Sequence, residues 1–134
     1  MKRLIAMIAL MTPAAFGLAM ADTPRQMGDA YGAAAGAGYQ ASAPRGADFY
    51  ARRFGVSEKM ASCTACHTDK PAQPGEHVIT GKAIKPLAPG ANAERFTDPA
   101  KVEKWFRRNC REVVGRECTP GEKADFIAFV AEGR

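Results

Sequence analysis

The segment 63-CTACH-67 places two cysteines three positions apart and a histidine directly after the second. A C-x-x-C-H run is the attachment pattern of a c-type haem. At this spacing two thiols reach the two vinyl groups along one porphyrin edge and form thioethers. The next residue then lies under the iron, where an imidazole supplies the proximal ligand. The pattern assigns Cys63 and Cys66 to covalent attachment of one haem c and His67 to the iron. The other ring nitrogen of His67 calls for a backbone carbonyl, and Pro71 and Pro74 mark a turn that can offer one. Two other uses of the cysteines fit less well. A thioredoxin-like pair belongs in a βαβ setting, which the chain lacks. A four-cysteine zinc site would join Cys63 and Cys66 to Cys110 and Cys118, and the wide second spacing suits it poorly.

The distal side of the iron raises a harder question. A small electron-carrying cytochrome c uses a methionine downstream of the motif. All six methionines here, Met1, Met7, Met11, Met20, Met27 and Met60, precede Cys63. His77 is the only other histidine. It lies in a Pro/Gly-rich loop, which favours a surface or propionate-facing role over ligation. Lys82 and Lys85, in the same loop, read as solvated cations, with propionate pairing or ligation as the rival. A further candidate comes from the helix expected after Pro99. At about 100° per residue, Val102, Trp105, Phe106, Asn109, Cys110 and Val113 share one apolar arc. Lys101, Lys104, Arg108 and Arg111 take the opposite face, a basic surface suited either to solvent or to an acidic partner. Asn109 is therefore expected to point inward with the aromatics, Trp105 among them as packing against the haem. A buried amide needs partners. It either bonds a backbone group or a propionate, or coordinates iron through its carbonyl oxygen.

The elements that must position these residues read as helical throughout. No stretch shows sustained period-two alternation, and no internal repeat is visible. Thr23-Pro24 opens a short helix to about Gly36, with Met27 and Tyr31 as satellite packing. Ser42 and Pro44 start a second helix expected to end at Gly55. It carries Phe49, Tyr50 and Phe54 on one side and Gly46 where another helix can approach. Residues 68–97 form a proline-rich loop long enough to wrap something. Thr97 or Asp98 caps the helix that runs to about Val114. The run 119-TPGE-122 is a capping box opening a last helix, with Phe126, Ile127 and Val130 inward.

Residues 1–21 read as a signal peptide, with Lys2 and Arg3 before an apolar run and Ala19-Met20-Ala21 as the cleavage site. Pro13 and Gly17 weaken the alternative of a membrane anchor, so no stable membrane insertion is expected after cleavage. Export to the periplasm favours disulfides. Taking 21 from 134 residues leaves 113, enough for one small domain that gains from a cofactor or a covalent staple. Loss of Lys2 and Arg3 lowers the formal charge from +5 to +3, too little to argue for nucleic acid. The expected division is 1–21 signal peptide, 22–41 N-terminal extension with a short helix, and 42–134 cytochrome domain.

The segments 63-CTACHTDKP-71, 81-GKAIKPLAP-89, 95-RFTDPAKVEKWFRRNCREVVGREC-118 and 121-GEKADFIAF-129 together resemble the SHP-type cytochromes c. These are small exported monohaem proteins that bind oxygen. The resemblance covers most of the chain after Phe54, and the combination of C-x-x-C-H with W-F-x-x-N-C is its specific part. It implies an all-α, class I cytochrome c fold, with the terminal helices crossing beside the haem. It also implies Asn109 as the distal iron ligand, a disulfide between Cys110 and Cys118, and a dihaem or membrane-linked cytochrome as electron partner. The first functional expectation is a gas-binding haem protein that takes O2, NO or CO when Asn109 lets go on reduction. A plain electron carrier with an unusual ligand is the second. A small haem enzyme processing oxygen or nitric oxide is the third, although no separate acid–base constellation accompanies the haem motif.

Overall fold

The computed structural model describes residues 22–133. The expected signal segment and its cleavage site lie outside the described residues. Four longer helices and one single turn carry the fold: α1 (Pro24–Ala35), α2 (Ala43–Ala51), the turn α3 (Thr64–His67), α4 (Pro99–Val113) and α5 (Pro120–Ala131). Each longer helix opens on the same two devices. A side-chain oxygen accepts from a first-turn N–H, and a proline near the start spares an N–H that would have no partner. Thr23, Ser42, Asp98 and Thr119 are these caps. Thr119 closes the expected box with Glu122, and Thr23 closes a second with Gln26. Such caps contribute about 1 kcal/mol each.

Helix α2 stops at Ala51, short of the expected Gly55. The Phe54 N–H explains the early end. It donates to the Ala61 carbonyl at 2.9 Å, closing a loop that feeds the chain into α3. Within the long loop, β1 (Gly75–Glu76) pairs antiparallel with β2 (Ala83–Ile84), Gly75 opposite Ile84. The pair is too short to leave a period-two signal in the sequence. The rest of the loop is held by backbone bonds: Leu87 and Ala88 N–H groups both donate to the Pro71 carbonyl, at 2.8 and 2.9 Å.

Helix α5 lies at the centre and packs against both α1 and α2. Its Ala124, Ile127 and Val130 are almost wholly buried, and full burial of an aliphatic side chain such as Ile127 contributes about 1.5–3 kcal/mol. Gly46 permits the close approach of α2. A Cβ there would strike the Asp125 backbone and lie 2.8 Å from Phe129 Cβ. Helix α4 joins through Phe106, which packs edge-on against Tyr31 of α1 at 5.7 Å and Phe126 of α5 at 5.5 Å. Helix α1 is a fuller member of the core than its Ala/Gly-rich sequence suggests. Met27 belongs to the main cluster, and Gly28 brings the α1 backbone against Ile127. Small residues leave few apolar side chains to read, yet they let the backbone itself come close.

Candidate haem site

The turn α3 presents Cys63, Cys66 and His67 together. Both thiols are free and half-buried. Burial pushes the Cys63 thiol up to about 12, with the nearby Cys66 adding to it. Burial also lowers His67 to about 4, assisted by the positive charge of Arg95. A neutral imidazole is the form that ligates metal. Strand β1 lies directly against this turn. A side chain at Gly75 would collide with the Cys66 carbonyl and come within 3.0 Å of His67 Cα. Past the strand, the Val78 N–H donates to Cys66 Sγ at 3.4 Å.

The candidate residues separate clearly in this arrangement. His77 turns inward on its own loop, its Nδ1 accepting from the Ile79 and Thr80 N–H groups at 3.2 and 3.4 Å. Lys85 forms an exposed ion pair with Glu94 at 3.7 Å, and Lys82 is exposed. In the turn marked by Pro71 and Pro74, the Pro71 carbonyl receives the Leu87 and Ala88 N–H groups.

The apolar arc of α4 divides into two parts. Val102, Phe106 and Cys110 are buried against the polypeptide core. Trp105, expected to pack against the haem, is left 44% exposed by the polypeptide and carries the Arg108 guanidinium over its ring at 5.8 Å. Asn109 shares this outer flank. It is half-buried, and its side-chain amide has no hydrogen-bond partner among the described residues. The physical reason is geometric. The arc is wider than the Tyr31 and Phe126 contacts of α1 and α5 cover, so its Trp105–Asn109 edge is left partly open at the surface. Cys110, the next residue, is joined to Cys118 in a disulfide with Cα atoms 5.7 Å apart. That bond uses two of the four cysteines and removes the ligand set of a four-cysteine zinc site.

Two positively charged or polar groups near the turn were not evident as site residues. Arg95 donates from Nε to the Pro86 carbonyl at 2.8 Å and from a terminal nitrogen to the Lys85 carbonyl at 2.6 Å. Tyr50 donates to the Thr68 carbonyl at 2.7 Å. The residues present fit a haem c. Two free thiols stand three positions apart with a neutral imidazole beside them, and Val78 and Ile79, which follow β1 next to Cys66, expose apolar surface.

Comparison with known proteins agrees with this fit. Residues 36–130 match a family described as a domain of unknown function, DUF1924. The cytochrome c-type protein SHP of Cereibacter sphaeroides is 50% identical over 110 residues, which are 81% of this chain and 83% of the relative. The chain belongs to the SHP family of cytochromes c. Among solved structures, oxidised SHP, described as an oxygen-binding cytochrome c, superposes with a TM-score of 0.76 at 47% identity, covering 82% of this chain and 96% of that one. The solution structure of cytochrome c'' from Methylophilus methylotrophus, described with insights into haem-ligand detachment, gives a TM-score of 0.69 at 37% identity, over 80% and 90% of the two chains. The SHP family membership establishes the all-α cytochrome c fold expected from the sequence and a role as a haem cytochrome.

Proposed function

We propose that this chain is a monohaem cytochrome whose distal ligand, Asn109, leaves on reduction and admits a diatomic gas. In this reading Cys63 and Cys66 hold one haem c through thioethers, and His67 and Asn109 flank its iron. The haem supplies a redox-active iron with a ligand position that can be exchanged. The chain's own residues decide when that position opens. The observation that carries the reading is the Asn109 amide, half-buried, without a hydrogen-bond partner among the described residues, at the uncovered edge of α4 beside Trp105. An amide with an internal partner would be a packing group; this one is available. Its neighbour Cys110 is tied to Cys118, which restrains the end of the helix and limits how far Asn109 can swing. Once released, the amide NH2 remains close enough in sequence and helix position to donate to an incoming O2 or NO.

The oxygen binding of SHP and the ligand detachment described for cytochrome c'' support this reading by analogy. Electrons would come from a dihaem or membrane-linked cytochrome in the periplasm, after removal of residues 1–21. Among the described residues no helix is long and apolar enough to cross a membrane.

The test is to reduce the purified haem protein and add carbon monoxide. A shift of the reduced absorption spectrum to that of a carbon monoxide complex is expected. An unchanged low-spin spectrum would leave a plain electron carrier. Steady-state turnover of oxygen or nitric oxide with an electron donor would instead favour a small haem enzyme.

A further inference from the structure

The exit of α3 is held in a backbone conformation that its residue type resists. Thr68, directly after His67, has φ 63° and ψ 179°. That region is populated essentially by glycine, and other residues stay there only when their surroundings hold them. Local bonds contribute little to holding it. The Thr68 N–H donates to the Thr64 carbonyl at 3.0 Å, and its hydroxyl bonds the exposed backbone of Lys70. The long-range restraint is the Tyr50 hydroxyl, which donates to the Thr68 carbonyl at 2.7 Å. Tyr50 is 1% exposed. Its ring is wedged against Phe126 and Phe129 of α5, at 6.0 and 5.3 Å between centroids.

We infer that Tyr50 is a positioning residue for the proximal ligand: through the Thr68 carbonyl it fixes the backbone on which His67 is presented to the iron. The inference rests on the reading of His67 as the proximal ligand. The other restraints on His67 act before it or beside it. Its N–H donates to the Cys63 carbonyl at 3.1 Å, and Gly75 lies against its Cα. Past it, the Thr68 N–H is held within the turn by the Thr64 carbonyl, and the Tyr50 bond to the Thr68 carbonyl is the restraint that reaches this exit from the helical core. It connects the imidazole to the central helix α5, so the firmness of the proximal bond is set by the core rather than by the loop.

The test uses the haem-loaded protein and the iron–histidine stretching band of its reduced, five-coordinate form. Tyr50→Phe keeps the ring and removes the hydroxyl. The band should broaden and move to lower frequency. In Tyr50→Phe/Thr68→Gly it should return towards the wild-type position, because glycine takes this backbone conformation without help. Thr68→Gly alone should leave the band in place and raise the melting temperature. An unshifted band in Tyr50→Phe overturns the inference, even if the protein melts earlier, because the hydroxyl would then be a stabilising bond and nothing more. A double variant no closer to wild type than the single overturns it too, as does a lowered melting temperature in Thr68→Gly. Absence of any iron–histidine band in the wild-type protein is a different failure. In a reduced form that is five-coordinate it removes His67 as the proximal ligand and this inference with it; in a six-coordinate reduced form it overturns the release of Asn109 instead, and the band is then read in Asn109→Ala.

Discussion

An amide oxygen is a hard, neutral and weak donor, better matched to ferric than to ferrous iron. On the proposed reading of Asn109 as distal ligand, that preference makes the identity of residue 109 matter more than its position on the helix. A thioether at the same place is softer and would stay bound on reduction. Asn109→Met should therefore close the reduced site. A methionine that occupies the iron roughly nine-tenths of the time weakens the apparent affinity for carbon monoxide about tenfold. Asn109→Ala should retain carbon monoxide binding and alter the ferric spectrum. Equilibrium titration of the reduced variants measures the first effect, and ferric absorption the second. A ferric spectrum indifferent to Asn109→Ala would reduce the amide to packing. At this scale the motif residues Cys63, Cys66 and His67 were legible because they are contiguous. The place of Asn109 beside the apolar side of α4 was legible because a helix converts spacing into direction; its half-burial at the edge of that side was not. Tyr50 and Arg95 were not, because their acceptors are backbone carbonyls of Thr68, Lys85 and Pro86. Nothing in a sequence marks a carbonyl that folding will bring within reach.

The helices show what local chemistry can and cannot announce. Thr119-Pro120 and Asp98-Pro99 declare helix starts, and both helices begin there. The end of α2 was misread because its cause is the Phe54 bond to Ala61, a loop closure with no local signature. A helical wheel gives the direction of Trp105 and not the width of the polypeptide that covers it, so its 44% exposure had no sequence signal. Gly46 was read correctly, since a glycine on the apolar side of a helix has few other uses. Its weight can be measured. Gly46→Ala places a Cβ against the Asp125 backbone and 2.8 Å from Phe129 Cβ. Those atoms belong to the core of α5, so they cannot simply move aside. The higher helix propensity of alanine offsets about 1 kcal/mol, while overpacking costs typically about 1–3 kcal/mol. A net loss of stability is expected, seen as a lower urea midpoint with an unchanged slope. A midpoint equal to or above the wild type would mean that α2 and α5 can separate without penalty.

Across the whole molecule, acidic side chains tie the helices to one another. Glu103 of α4 receives the Tyr31 hydroxyl from α1 at 2.8 Å and the Lys123 ammonium from α5 at 2.9 Å to each oxygen. Lys123 is itself buried and lies over the Tyr31 and Phe106 rings. The Lys123 hydrogen bond holds the Glu103 carboxyl below its ordinary value of 4.5. On the other side of α5, burial pushes Asp125 up, but bonds from Arg45, the Ser42 N–H and Tyr39 outweigh it and leave the carboxyl below 3.8. Arg116 does the same for Glu122 from 4.5. Each group has a lower proton affinity in the folded chain than in the unfolded one. Between the two values the unfolded state binds more protons, so stability rises with pH. The contribution is complete above the unfolded values and is lost as pH falls through the folded ones. In urea unfolding of the haem protein these three carboxylates should therefore contribute a stability that is level down to about pH 5 and declines below it, added to the earlier decline that His67, lowered from 6.5 to about 4, begins below about pH 6.5. Glu103→Gln removes one of the three carboxylates and should make that decline shallower while lowering stability at neutral pH. An acid decline of the same steepness in Glu103→Gln would show that the α1–α4–α5 junction does not sense protons and that another part of the molecule, the haem site included, sets its acid limit.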